Sequence, residues 1–266
     1  MVCSANRNRY SDVITNQQRT HFHDQGWVVP DWRLSAQRVS ELRALVETAL
    51  ADQPGKRNYL PDLQRYAPGV LAFAAAPEIV DMVAEFAGPD IAIWGTGVFG
   101  KPAYDGVSTP WHQDGQYWPI RPLATTSVWL ALDDATRANG CMRVISGSHR
   151  PRELYTHRTV DASKLTLNQE LDWQALGFDV EEPIEIEAGQ MILFDVYLIH
   201  GSHGNDTPAQ RRAITIRYMP TTSHFDRELA TRQHQEMAVP DLSKRILYRA
   251  RGMDRCGLND LVDIPS

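Results

Sequence analysis

The chain has 266 residues, 42% of them hydrophobic and 23% charged, and carries a formal net charge of −6. Such a chain can bury a sizeable core without crosslinks, and its mild negative balance disfavours a nucleic-acid partner, which would need a basic face. The three cysteines, Cys3, Cys141 and Cys256, are scattered and odd in number, so there is neither a disulfide framework nor a CxxC motif, and a reducing, cytoplasmic setting is expected.

The chain opens on MVCSANRNRYSD, which lacks the apolar stretch of a signal peptide, and no run of 18 apolar residues follows. Neither a leader nor a membrane span is therefore expected, and residues 1–20 read as a loose polar segment. GWVVP (Gly26–Pro30) reads as a short strand closed by proline. Between Ser35 and Ala51, apolar residues at Val39, Leu42, Leu45, Val46, Ala49 and Leu50 mark one face of a helix that Ser35 can cap. Pro54–Gly69 is rich in Pro, Gly, Asn and charge and reads as a long loop, in which Asn58, Tyr59 and Arg65 could cover a pocket. Glu78–Ala87 reads as a second amphipathic helix, with Pro77 at its start and Gly88 at its end.

From Ile91 the texture changes to short β-rich runs: Ile91–Phe99, Thr125–Leu132, Met142–Ile145, Pro183–Glu187, Met191–Phe194 and Ala213–Met219. Asn139-Gly140 marks a tight turn among them. Pro151–Asp179 is a polar insertion, and the tail from His224 is charged and partly helical. The expected fold class is α+β, mainly β: helices packed on a sandwich or barrel. We expect one domain over residues 1–266, helical to about residue 90, β-rich over about 91–220, with an extension over 221–266.

The chemistry concentrates in two segments. Thr109–Pro119 reads TPWHQDGQYWP, and on a strand His112 and Asp114 would point to one side. An isolated HxD is common without a metal. Downstream, however, an apolar run delivers His200. Two histidines and one carboxylate on one face of an Fe(II) ion leave positions open for a bidentate co-substrate and O2. Arg211, eleven residues after His200, offers the planar fork that the distal carboxylate of 2-oxoglutarate would need. Ser202 could add a hydroxyl.

These segments resemble the phytanoyl-CoA dioxygenase-like family of Fe(II)/2-oxoglutarate oxygenases. The resemblance is carried by WHQDGQYWPIRP (Trp111–Pro122), SVWLALDDATRANGCMRVISGSH (Ser127–His149) and IHGSHGNDTPAQRRAI (Ile199–Ile214), and it extends over roughly Phe22 to Tyr218. It implies a double-stranded β-helix (jelly-roll, cupin-like) core with flanking N-terminal helices. It implies Fe(II) held by His112, Asp114 and His200, with 2-oxoglutarate and O2 as co-substrates. It also implies Arg211 and Ser202 on the 2-oxoglutarate carboxylate, with Trp129 lining that pocket. Arg212 is the alternative to Arg211, but the spacing favours Arg211, and adjacent strand residues cannot both face inward. Related halogenases replace the ligand aspartate with a small residue; Asp114 disfavours that chemistry here.

The expected reaction is hydroxylation of a small polar or anionic molecule, with O2 consumed and succinate and CO2 released. Desaturation, epimerisation or ring closure would use the same cofactors. A cupin-type metalloenzyme without 2-oxoglutarate and a silent ligand-binding barrel are the remaining alternatives. For the substrate side, the sequence nominates Lys101, Gln113, Tyr117, Trp118 and Arg121. Each also has an ordinary structural reading: solvated strand end, core aromatic or surface ion pair.

Overall fold

Arg211–Pro220 organises the fold by simple alternation. Ile214, Ile216 and Tyr218 join a core packed against helices, while Arg211, Thr215 and Arg217 turn to the opposite side and line a cavity. The computed structural model describes residues 14–265. The polar opening stretch with Cys3 lies outside the described residues.

The strands in chain order are β1 (Trp27–Val28), β2 (Tyr59–Pro61), β3 (Ile91–Lys101), β4 (Thr109–His112), β5 (Ile120–Arg121), β6 (Thr126–Ala131), β7 (Met142–Val144) and β8 (Arg158–Thr159). They continue with β9 (Gln169–Glu170), β10 (Glu182–Ile184), β11 (Met191–Asp195), β12 (His200–Ser202), β13 (Arg211–Pro220), β14 (His224–Phe225), β15 (Leu247–Arg251) and β16 (Leu261–Asp263). The larger sheet runs β1-β11-β6-β13-β3-β15-β16, with β2 added to β3, and the smaller runs β10-β7-β12-β4. The two sheets face each other as a double-stranded β-helix, and residues from both line the cavity between them.

The α-helices among the described residues are α1 (Asn16–Gln25), α2 (Ala36–Ala51), α3 (Gly69–Ala74), α4 (Pro77–Ala87) and α5 (Arg227–Met237), with short one-turn helices between elements. The apolar stripe of α2 (Val39, Leu42, Val46) and that of α4 (Ile79, Val80, Val83) pack with Val128, Leu130, Ile214 and Ile216 of the larger sheet. As expected, the Ser35 side chain accepts the Arg38 N–H, Pro77 opens α4 and Gly88 follows its end.

Three segments depart from their expected roles. Asn16–Gln25 is helical although polar: Thr15 and Gln18 close a capping box, and one apolar side chain, Phe22, is buried. A helix held by its cap leaves little periodic signal. The supposed loop after Pro54 carries β2, which pairs Tyr59 with Phe99 across β3; three residues are too few to show alternation. The tail is tied into the main sheet, because β15 pairs with β3. No helix among the described residues is long and apolar enough to cross a membrane.

Candidate active site

His112 ends β4 and His200 begins β12, and these antiparallel neighbours are direct Cα partners. Asp114 sits just past the strand, in the first position of a one-turn helix (Asp114–Gln116), and the extended backbone of Gln113 turns it to the same side as His112. Each histidine has its Nδ1 within hydrogen-bond distance of a backbone carbonyl, His112 of Pro110 O at 2.9 Å and His200 of Leu198 O at 3.0 Å. A proton held there leaves the Nε2 lone pair free. Those Nε2 atoms lie 3.6 Å and 3.9 Å from Asp114 Oδ1. All three ligand atoms fall within 4.8 Å of one another.

The electrostatics keep this trio ready for a cation. Burial, with the neighbouring His112, lowers the His200 imidazole to about 4, so it is neutral at physiological pH. Burial pushes the Asp114 carboxyl up, but the His112 hydrogen bond, the pull of the two imidazoles once they protonate in acid, and the Arg217 charge outweigh it and hold Asp114 below the ordinary carboxylate range. The Ser127 hydroxyl reaches Asp114 Oδ2 at 3.4 Å and helps to orient it. Two imidazoles and one carboxylate converging on one point are a donor set suited to Fe(II).

On one side of the trio, a narrow cavity between the sheets ends on Arg211. Its guanidinium is buried, donates to Phe99 O and Gly140 O, and leaves Nε without a partner. No carboxylate pairs with it among the described residues; burial lowers its pKa to about 9. An unpaired donor on a buried cation is costly unless an anion completes it. Trp129 lies against this guanidinium, 5.2 Å from ring centroid to Cζ, and Ser202, Thr109 and Thr215 line the same cavity. A buried guanidinium with a free donor at the end of this cavity suits a carboxylate. Arg212 faces the other way and binds Asp133 and Glu47.

On the other side, a second cavity of about 280 Å³ shares His112, Asp114, Phe99 and Arg217 with the first. Its walls are aromatic (Trp94, Trp118, Tyr117, Tyr59), and its rim comes from residues 162–168 and 238–242. Asn168 joins the two rim segments by donating to Met237 O. The polar insertion and the tail therefore frame this chamber.

The sequence pattern of the family described as phytanoyl-CoA dioxygenase (PhyH) matches residues 22–213, well over half of the chain. The chain belongs to the phytanoyl-CoA dioxygenase family. Among its relatives, peroxisomal phytanoyl-CoA dioxygenase of Bos taurus is 28% identical, over 89% of this chain and 78% of that one. Among solved structures, the non-heme monooxygenase ThoJ is 25% identical with a TM-score of 0.70, covering 93% of this chain and 88% of ThoJ. The α-ketoglutarate-dependent carbocyclase SnoK from nogalamycin biosynthesis, at 20% identity, shares the fold, with a TM-score of 0.68 over 80% of this chain and 86% of SnoK. As a member of the phytanoyl-CoA dioxygenase family, this chain is an Fe(II)/2-oxoglutarate-dependent oxygenase, and its His-Asp-His trio fits the iron.

The nominated substrate residues separate sharply in this family member. Tyr117 and Trp118 line the aromatic chamber. Gln113 does not: it is fully buried, and its side chain is spent on Glu153 O, Tyr197 O and the Tyr155 N–H. Arg121 lines neither cavity and donates to the backbone carbonyl of the preceding Ile120. Lys101 is not a solvated strand end. It is buried opposite Arg211 in the β3–β13 register, and its Nζ donates to Val107 O; it lines neither this chamber nor the cavity of Arg211. Of the pocket-covering trio, Tyr59 lines the chamber, while Asn58 receives the Val107 N–H. Sequence reasoning missed Trp94, Arg217, Arg245 and Ser127. Trp94 and Arg217 sit in apolar strand runs, and Arg245 lies in a tail without periodicity. Only the alternation along β13, which places Arg217 on the face of Arg211, offered a signal.

Proposed function

We propose that this enzyme hydroxylates a small polar or anionic molecule at carbon. One O2 and one 2-oxoglutarate would be consumed, with one oxygen atom going to the C–H bond and the other into succinate as CO2 leaves. The observation that carries the reading is position: the His112–Asp114–His200 trio is the junction of two cavities, one ending on an incompletely paired buried arginine and one walled by aromatics.

In this reading His112, Asp114 and His200 hold iron. Arg211 and Ser202 hold the distal carboxylate of 2-oxoglutarate, and Trp129 lines that pocket. When bound, iron and 2-oxoglutarate supply the oxidising chemistry. The protein's own part is to orient and to exclude water. Ser127 steadies Asp114, Arg211 fixes the co-substrate's direction, and Tyr117 and Trp118 shape the space above the metal. A chamber of about 280 Å³ lies at the small end of ligand pockets, which run to roughly 300–1,000 Å³, and so favours a compact substrate. Desaturation, epimerisation or cyclisation would need the same site, and substrate placement would decide among them.

The test is spectroscopic. Metal-free protein receives Fe(II) and then 2-oxoglutarate without oxygen. A weak visible charge-transfer band marks bidentate 2-oxoglutarate on iron, and a substrate screen by succinate release follows. Product mass separates the outcomes, since hydroxylation adds one oxygen and desaturation removes two hydrogens. Iron binding without the band would point to a cupin-type site, and the absence of both iron binding and the band would overturn the reading.

A further inference from the structure

Arg217 and Arg245 come from distant parts of the chain and converge over one residue, Gly95. A methyl group at Gly95 would lie 2.9 Å from Arg245 Nη1 and 3.7 Å from Arg217 Nη1. A side chain at Gly95 would thus press on the Arg245 guanidinium and come into van der Waals contact with that of Arg217. Both stand against the same indole: Trp94 has Arg245 at 5.4 Å and Arg217 at 5.6 Å from its ring, and Arg217 also lies 5.5 Å from the Trp118 ring. The two arginines are 6% and 7% exposed, and both line the chamber that reaches the metal trio.

Two cations side by side in an apolar enclosure need anions. The groups that face them can be counted. Asp62 pairs with Arg245 at 2.6 Å. Arg217 makes no ion pair among the described residues; it is hydrogen-bonded to the Tyr59 side chain and feels Asp114 and, with Arg245, the same Asp62. Asp114 is the carboxylate that a metal would claim. With the metal in place, two guanidinium charges therefore face one free carboxylate, and one positive charge is left over inside the chamber. Lys56, at the chamber wall, adds to the excess rather than relieving it.

We propose that the substrate is a monoanionic carboxylate with an aromatic or otherwise apolar body. Its carboxylate docks on Arg217 beside Arg245, over Gly95. Its body lies between Trp118, Tyr117 and Phe99, and one of its carbons faces the trio. A single carboxylate matches the single excess charge, and the planar guanidinium fork suits it. This deepens the oxygenase reading and rests on it for the placement of the metal. In this proposal the anionic group is read from Arg217 and Arg245 rather than from Lys101 and Arg121.

The probe set is phenylacetate and 3-phenylpropionate, each beside its neutral amide. Enzyme loaded with Fe(II) and 2-oxoglutarate under anaerobic conditions is titrated with each, and quenching of tryptophan fluorescence is followed. The loading step reports the charge-transfer band first, so failure of the oxygenase reading appears before any probe is added; the titration is then run on metal-free protein. The acids should saturate, and the amides should bind about tenfold more weakly or worse. R217Q should lose that preference, while R121Q, outside both cavities, should keep it. The acid-to-amide comparison in the unmodified enzyme stands even if R217Q fails to fold. Amides binding as well as acids, or no saturable binding by any acid, would overturn the proposal. So would an unchanged preference in folded R217Q.

Discussion

Arg211 and Arg212 are consecutive on β13, and their guanidinium groups lie on opposite faces of the larger sheet. Arg211 is aimed into the cavity beside the metal trio with Nε unpaired, whereas Arg212 grips Asp133 through both Nε and Nη2 and reaches Glu47 through Nη1. The pleat of one strand thus divides a pair of identical residues into one that faces the cavity and one that clamps the opposite face.

Replacing them should separate binding from stability. R211Q should weaken 2-oxoglutarate by about 2 kcal/mol or more, roughly 30-fold, read from titration of the charge-transfer band. Its folding midpoint in urea should hold or rise, since a buried cation is removed. R212Q should keep the 2-oxoglutarate affinity and lose about 1–3 kcal/mol of stability. The reverse pattern would transfer the anchor to Arg212.

Ser127 and Asp114 provide the second test. The hydroxyl contact is long at 3.4 Å, so S127A should cost only about tenfold in Fe(II) affinity, the lower end of effects seen for groups behind a ligand. D114A should abolish both metal retention and succinate release. Metal titration of the two variants distinguishes a steadying group from a ligand.

Gly140 closes the Asn139-Gly140 turn with φ of +83°, and its carbonyl accepts from Arg211 Nη2 at 2.8 Å. A methyl there would meet Lys101 Cδ at 2.5 Å and His203 O at 2.6 Å, in a conformation that already disfavours L side chains. G140A should lower stability by about 1–3 kcal/mol and weaken 2-oxoglutarate as well, because the turn supports the anchor. A loss of stability with co-substrate affinity intact would leave the turn purely structural.

Lys101 gives a pH signature. Burial, reinforced by Arg211, lowers its ammonium to about 6, against roughly 10.4 in an unfolded chain. Between those values the unfolded chain holds a proton that the folded protein lacks, so this contribution to stability rises with pH across the window and is lost as pH falls toward 6. K101M should therefore be more stable than the parent at pH 7, with the gap closing toward pH 10, as measured by urea unfolding at both ends. A pH-independent gap would place the effect in packing alone.

The metal site was legible because ligand chemistry restricts residue type and, for two of its members, spacing. His112 and Asp114 stand one residue apart, and His200 ends an apolar run. Even here a detail differed, since Asp114 reaches the metal side from a helical turn rather than from the strand itself. The substrate side was not legible. Gln113 adjoins both iron-site residues and yet points into backbone, while Arg245, 133 residues beyond His112 in chain numbering, faces the chamber. Tryptophan and arginine in strands look the same whether they fill a core or line a pocket.

What the sequence determined by itself is the set of groups whose chemistry is local: the HxD pair, the histidine and arginine that follow it, the capped helices and the alternating strands. These rest on short-range geometry, a period of two or of 3.6 and a cap one turn away. What only the tertiary structure decided is which side of each strand became interior and which distant segments meet there. Sheet pairing places Arg211 beside Lys101, and the return of the tail onto β3 sets Arg245 over Gly95. Those juxtapositions depend on contacts between residues far apart in the chain, formed only when the two sheets and their helices bury a common core, and no local pattern encodes them.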